Sequence, residues 1–189
     1  TWNYKNNTII NNGRGSNTWS TGLLNKTNLN QNFITNIGAE WANKIDMTTW
    51  KVGGNGANIY HKPAKIAYQN EIVNPVTTNS TDNKTEYSAR IGLMYASDYG
   101  FAAAPSEWTT ILAGYDSGAN VNWMYMGLKE WTISRYAGLA YYEFFVDYTG
   151  KVDSTSTNFA IGVRPVFYLS SSVTYVSGDG TQNSPIRIN

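Results

Sequence analysis

Residues 131–153, WTISRYAGLAYYEFFVDYTGKVD, decide how this chain folds. Trp131 to Arg135 and Tyr141 to Asp147 are short, aromatic and β-branched, as strands are. Thr149 and Gly150 fall between two apolar stretches, which is a hairpin turn signal. Strand alternation places Trp131, Ile133 and Arg135 on one face and Thr132 and Ser134 on the other. Likewise Tyr142, Phe144 and Val146 share one face, and Tyr141, Glu143 and Phe145 share the opposite one. One face is expected in the core and the other on display.

Outward from that hairpin, Ile91 to Ala102, Trp123 to Gly127 and Phe159 to Leu169 read as further strands, and Ser106 to Leu112 as a short helix capped by Ser106. The first half differs. Leu23, Leu24, Leu29, Phe33, Ile37, Trp41 and Ile45 recur at spacings near four, which predicts one broken or two short amphipathic helices. Thr48 to Val52 reads as a strand stopped by Gly53, Gly54 and Gly56, and Pro63 to Glu71 as a short helix opening at a proline. Asn3 to Asn17 reads as a strand and turn, and residues 74–85 as a flexible loop. The expectation is a single α+β domain over residues 1–189, with two short helices early, an irregular antiparallel sheet in the second half and no internal repeat.

Composition narrows the chemistry. The 189 residues contain 14 Lys plus Arg and 13 Asp plus Glu, a net charge of +1, which argues against a nucleic-acid partner. With no cysteine there is no disulfide, thiol nucleophile or zinc ribbon, and the single histidine, His61, excludes a His–His metal pair. Charged residues are 14% of the chain, well under the usual one in four, while aromatics reach 14% and Asn is roughly an eighth. Such a surface wets through amides and hydroxyls, which suits extracellular binding modules and fibres. No apolar run is long enough for a membrane span. Because the sequence opens at Thr1, an N-terminal signal or anchor removed upstream is expected.

No catalytic constellation stands out. His61 lies in a polar segment and no G-x-S-x-G elbow presents a serine. Glu107, Glu130, Glu143, Asp98, Asp116, Asp147 and Asp153 supply carboxylates, but no spacing selects a pair for glycoside hydrolysis, and no D-x-[DN]-x-[DN]-G loop marks calcium. No enzyme activity and no cofactor are expected; calcium is the ion those carboxylates would suit. Gly53, Gly54 and Gly56 read as a turn rather than a phosphate cradle. Four N-x-[ST] sequons begin at Asn6, Asn25, Asn79 and Asn83 and matter only if the source glycosylates. Arg164, inside the apolar Val163–Val166 run, is expected to hold a carboxylate or loop carbonyls. The signal with functional content is the crowd of Trp and Tyr between Trp123 and Tyr148, flat side chains with a polar handle that serve paratopes and sugar platforms.

The series IGLMYASDYGFA, WTISR, FFVDYTGKV, GVRPVFYL and SGDGTQNSPIRI resembles the C-type-lectin-like domains of Gram-positive surface, pilin-like and prophage proteins, in the branch that includes formylglycine-generating enzymes and retroelement-diversified variable proteins. LLNKTNLNQNFI and TTWKVGG extend the resemblance over most of the chain. It implies a C-type-lectin-like fold whose ligand face is carried by Arg135 to Phe159. The cysteines of the enzymatic branch are missing, as are the E-P-N, Q-P-D and W-N-D motifs of calcium-dependent sugar binding. The resulting expectation is a non-enzymatic bacterial, cell-surface or extracellular adhesion domain for a glycan or protein ligand on another cell or surface. In it Tyr136, Tyr141, Tyr142 and Tyr148 stack or anchor, and Arg135 and Glu143 donate and accept charge-assisted hydrogen bonds. The alternative is the structural head of a pilin or other self-assembling surface filament.

Overall fold

A computed structural model describes residues 2, 13–56, 58–76, 84–115 and 121–189. The strand and turn expected over Asn3 to Asn17 lies mostly outside the described residues, as does the centre of the 74–85 loop. What is described is an α+β arrangement with antiparallel sheets.

The helical half follows its apolar spacing in part: Leu24, Leu29 and Ile45 are buried and Leu23, Phe33 and Ile37 half-buried, but Trp41 is exposed. A π-wound helix, Leu24–Phe33, runs into α1 (Ile34–Asn36), and α2 (Gly38–Ala42) follows after a break at Gly38, whose φ is +83°. Leu24 and Leu29 are buried, and the Asn25 amide donates to the Trp19 carbonyl at 2.9 Å. Strand β1 (Thr48–Lys51) pairs antiparallel with β2 (Glu86–Ala89). Between them α3 (Ala64–Tyr68) starts behind Pro63 and continues as a π-wound turn, Gln69–Val73.

Four expected elements differ. Ile91 to Ala102 is not a strand: its second half is helix α4 (Ala96–Phe101), because the Asp98 carboxylate caps the Tyr95 N–H at 2.9 Å. Ala96, Ser97 and Gly100 let α4 pass close to α3; a Cβ on Gly100 would lie 2.6 Å from that of Ala64. The apolar run thus signalled burial, which helix and strand share. Over Ser106 to Leu112 there is no helix but two separate 3-10 turns, Pro105–Glu107 and Leu112–Gly114. Ser106 caps neither, since Pro105 opens the first turn. Trp123 to Gly127 is a turn, initiated by the Asn122 side chain accepting from the Met124 N–H at 2.9 Å. Phe159 to Leu169 is extended yet joins no sheet. It makes single bridges to three partners in turn, Gly162 to Glu130, Val166 to Gly92 and Leu169 to Ile45.

The deciding hairpin forms as expected: β3 (Glu130–Arg135), β4 (Tyr142–Val146) and β5 (Val152–Ser156) make one antiparallel sheet in that order, with an irregularity between Trp131 and Arg135. Gly150, at φ +99°, closes the second turn. Contrary to expectation, neither face of this sheet is on display. Trp131, Ile133 and Phe145 enter one apolar cluster with Trp2, Trp19, Trp50 and Leu93. Phe144, Val146 and Val152 enter a second, with Tyr99, Leu112 and Tyr115. A small antiparallel pair, β6 (Tyr175–Ser177) and β7 (Arg187–Ile188), ends the chain on the surface.

Candidate functional site

Because both faces of the central sheet are covered, surface chemistry gathers at its two ends. At one end the β3–β4 connection carries Tyr136, Tyr141 and Tyr142. Tyr136 and Tyr142 meet edge-on with ring centroids 5.8 Å apart, Tyr141 and Tyr142 at 5.3 Å, and Tyr136 stacks on buried Phe144 at 5.3 Å. All three are half-buried. The Asn17 amide fixes the connection by donating to the carbonyls of Tyr136, Leu139 and Tyr142 at 3.1, 3.0 and 2.7 Å. Arg14 holds Tyr141, donating to its hydroxyl at 2.9 Å.

Arg135 and Glu143 pair across β3 and β4 but are both buried, on the face that carries Trp131 and Phe145. The structure therefore separates them from the exposed tyrosine edges. The Arg135 guanidinium donates to the Gly53 carbonyl at 3.1 Å, and a Cβ on Gly54 would collide with the Arg135 carbonyl at 2.4 Å. The Gly-rich segment is a close-packed turn against β3. Burial pushes the Glu143 carboxyl well above the usual carboxylate range, with the charge of Arg135 pulling it back. Neither Glu143 oxygen accepts a hydrogen bond among the described residues.

At the other end stands Tyr148, in the β4–β5 turn, 59% exposed and not brought together with the other tyrosines. Asp147 shapes that turn by accepting from the Thr149 N–H at 2.9 Å. Lys129 lies 5.5 Å from the rings of both Phe145 and Tyr148 and 3.7 Å from the Asp147 carboxylate. The Tyr125 hydroxyl donates to the Tyr148 carbonyl at 2.7 Å, tying in the turn that exposes Trp123, Met126 and Leu128. Trp123 is 80% exposed and borders a hollow of about 470 Å³ whose other walls include Phe101, Ala103 and Asn122. The Asn122 amide anchors this turn to the Tyr99 carbonyl at 2.6 Å. Trp123 belongs to the aromatic crowd visible in the sequence, but reading its segment as a strand hid its exposure.

Sequence reasoning passed over Glu71. Burial raises its carboxyl to about 7, although Asn55, Ser134 and the Ser97 N–H all donate to it. Such a pKa would suit acid–base chemistry, yet Glu71 is 1% exposed. It joins α3's extension to α4, to β3 and to the Gly-rich turn. Its spacing from Ala64 and Ala67, on the buried side of one helix, was the available signal. Arg164, as expected, holds a carboxylate and a carbonyl: it donates to Glu130 at 2.6 Å and to Met124 at 2.8 Å. Asp116 lies outside the described residues. Among the described residues no three His, Asp or Glu side chains cluster to hold a metal ion, and no helix is long and apolar enough to cross a membrane. Compared with protein-family models, curated proteins and solved structures, the chain matches none.

Proposed function

We propose that this chain is a non-enzymatic recognition domain of C-type-lectin-like type that binds a glycan or protein ligand at a cell surface. The observation that carries this reading is the turn that exposes Trp123 and that Tyr125 ties to the carbonyl of Tyr148, whose ring lies against Lys129. There an indole is 80% exposed beside a hollow while its neighbours are tied in place by hydrogen bonds. An apolar ring held out in water by a stiff turn suits stacking on a sugar or anchoring in a partner, at low entropic cost. The half-buried tyrosines at the opposite end offer edges and hydroxyls as a second contact area. Early helices, a short antiparallel sheet and long irregular connections agree with the resemblance carried by WTISR and GVRP.

The test is a bead-multimerised domain on glycan and protein arrays, with calcium and with chelator, because multivalency makes weak sites detectable. A specific hit lost in Trp123→Ala/Tyr148→Ala but kept in Tyr136→Ala/Tyr141→Ala places the ligand at the Trp123 end. The opposite pattern moves it to the tyrosine edge. No hit in either buffer overturns the reading.

A second reading, a filament subunit, is favoured by the exposed apolar residues of the last segment. Phe159, Phe167, Tyr168, Leu169, Tyr175 and Val176 all lie on the surface. Sedimentation and electron microscopy of the whole protein decide it: association lost in Phe167→Ser/Tyr175→Ser supports the filament.

A further inference from the structure

A cleft of about 350 Å³ separates the helix Leu24–Phe33 and α1 from strand β2. One wall is built from Asn25, Lys26, Asn30 and Ile34, the other from the consecutive residues Tyr87, Ser88, Ala89 and Arg90, and Met47, just before β1, closes one end. A strand lines a cleft with alternate residues when it offers a face, and with consecutive residues when it offers an edge. This wall is an edge.

The edge is also chemically open. The Val52 N–H donates to the Thr85 carbonyl at 2.7 Å, and antiparallel pairing alternates between bonded and non-bonded pairs. Hence Trp50 with Tyr87 and Thr48 with Ala89 exchange backbone bonds, while the N–H and C=O of Glu86 and Ser88 turn away from β1. The Lys51 N–H, which by the same alternation points out from β1, is taken by the Tyr95 hydroxyl at 2.8 Å. No such partner meets the outward backbone groups of Glu86 and Ser88 among the described residues. Past the bend at Arg90, the Asn30 carboxamide accepts from the Ile91 N–H at 2.9 Å and donates to its carbonyl at 3.0 Å, which fixes the helix against the end of β2.

The cleft itself carries charge of one sign, and the carboxylate that the adjoining edge does carry, on Glu86, is paired with Lys51. Lys26 makes no ion pair among the described residues, Arg90 spends one N–H on the Ala42 carbonyl at 3.1 Å, and no carboxylate lines the cleft. We infer that this cleft binds an extended acidic peptide of a partner protein, which adds as a third strand on the open edge of β2 and places its carboxylates on Lys26 and Arg90. Main-chain bonds to Glu86 and Ser88 supply binding that is indifferent to side chains, and the two cations select acidic ones. This site is separate from the aromatic end around Trp123 and does not depend on it.

The probe is a fluorescein-labelled peptide, Gly-Thr-Glu-Val-Glu-Val-Thr-Gly, followed by anisotropy. Its Gln-for-Glu analogue, an analogue N-methylated at alternate amides, and polygalacturonate as a non-peptide anion serve as controls. Saturable binding is expected, weakened at least about tenfold by Lys26→Glu but not by Lys65→Glu on distant α3. The Gln and N-methylated analogues are expected to lose it, and Ser88→Pro, which deletes an outward N–H, to weaken it. If Ser88→Pro does not fold, the N-methylated peptide on the unaltered protein tests the same bond. Equal binding of the N-methylated peptide, full competition by polygalacturonate with no effect of N-methylation, indifference to Lys26→Glu, or no saturable binding would each overturn the proposal. A Trp123→Ala/Tyr148→Ala variant that still binds the peptide separates the fate of this site from that of the aromatic end.

Discussion

Three side chains concentrate the electrostatic risk of this fold. Arg164 faces Glu130, whose side chain is almost wholly buried, with two donor atoms and spends a further bond on the Met124 carbonyl. Replacing Arg164 with Ala leaves that carboxylate unpaired, so urea denaturation should show a loss of about 3 kcal/mol. A folded variant with unchanged midpoint would remove Arg164 from the account. Glu71 makes a prediction of opposite kind. Folded, it keeps its proton to about pH 7, whereas the unfolded carboxyl gives it up near 4.5. Between those values the folded state holds the extra proton, so stability falls as pH rises, by about 3 kcal/mol for this group, and levels off above 7. Glu143, also raised by burial, adds to the same slope. Glu71→Gln should flatten the curve between pH 4.5 and 7, and an unaltered slope in denaturation series would contradict the assignment. Arg164 could be foreseen because an arginine within an apolar run must find an acceptor. The burial of Arg135 and Glu143 could not, since it depends on a covering layer contributed by distant segments.

At the level of elements, local signals were legible and long-range ones were not. The β4–β5 hairpin is specified by alternation and by Thr149-Gly150 within a few residues. The helix behind Pro63 needs only its own proline and apolar spacing. By contrast, Gly92 pairs both backbone groups with Val166, at 2.9 and 3.0 Å, a contact no window of sequence contains. That pairing presses the backbone onto Trp50: a Cβ on Gly92 would fall 2.6 Å from the indole. Trp50 is held by its own bond to the Ala89 carbonyl at 3.0 Å and cannot withdraw. Gly92→Ala should therefore cost about 2 kcal/mol by overpacking, with altered tryptophan fluorescence in the folded state. A stable variant with native fluorescence would show that β1 and β2 give way. The same limit hid the aromatic end: the crowding between Trp123 and Tyr148 was visible, but exposure of Trp123 rests on Asn122 reaching back to Tyr99.

Across the whole molecule, the β3–β4–β5 sheet divides two apolar clusters, and the segment after β5 closes over them. Val166 packs against both clusters, and Tyr168 lies 5.7 Å from Trp50. Beyond Ser172 no side chain is buried. Deleting residues 173–189 should shift stability by less than about 1 kcal/mol, whereas ending the chain before Ile161 should prevent folding; limited proteolysis distinguishes the two. The bridges from Gly162, Val166 and Leu169 reach back to β3, to the segment after β2 and to the segment before β1. They have a consequence for synthesis. While this protein is being translated, its helices and first strands leave the ribosome long before the residues that seal them. The nascent chain carries Trp50 and Trp131, both buried in the finished fold, without their cover until residues 162–169 have emerged, and its core closes only then.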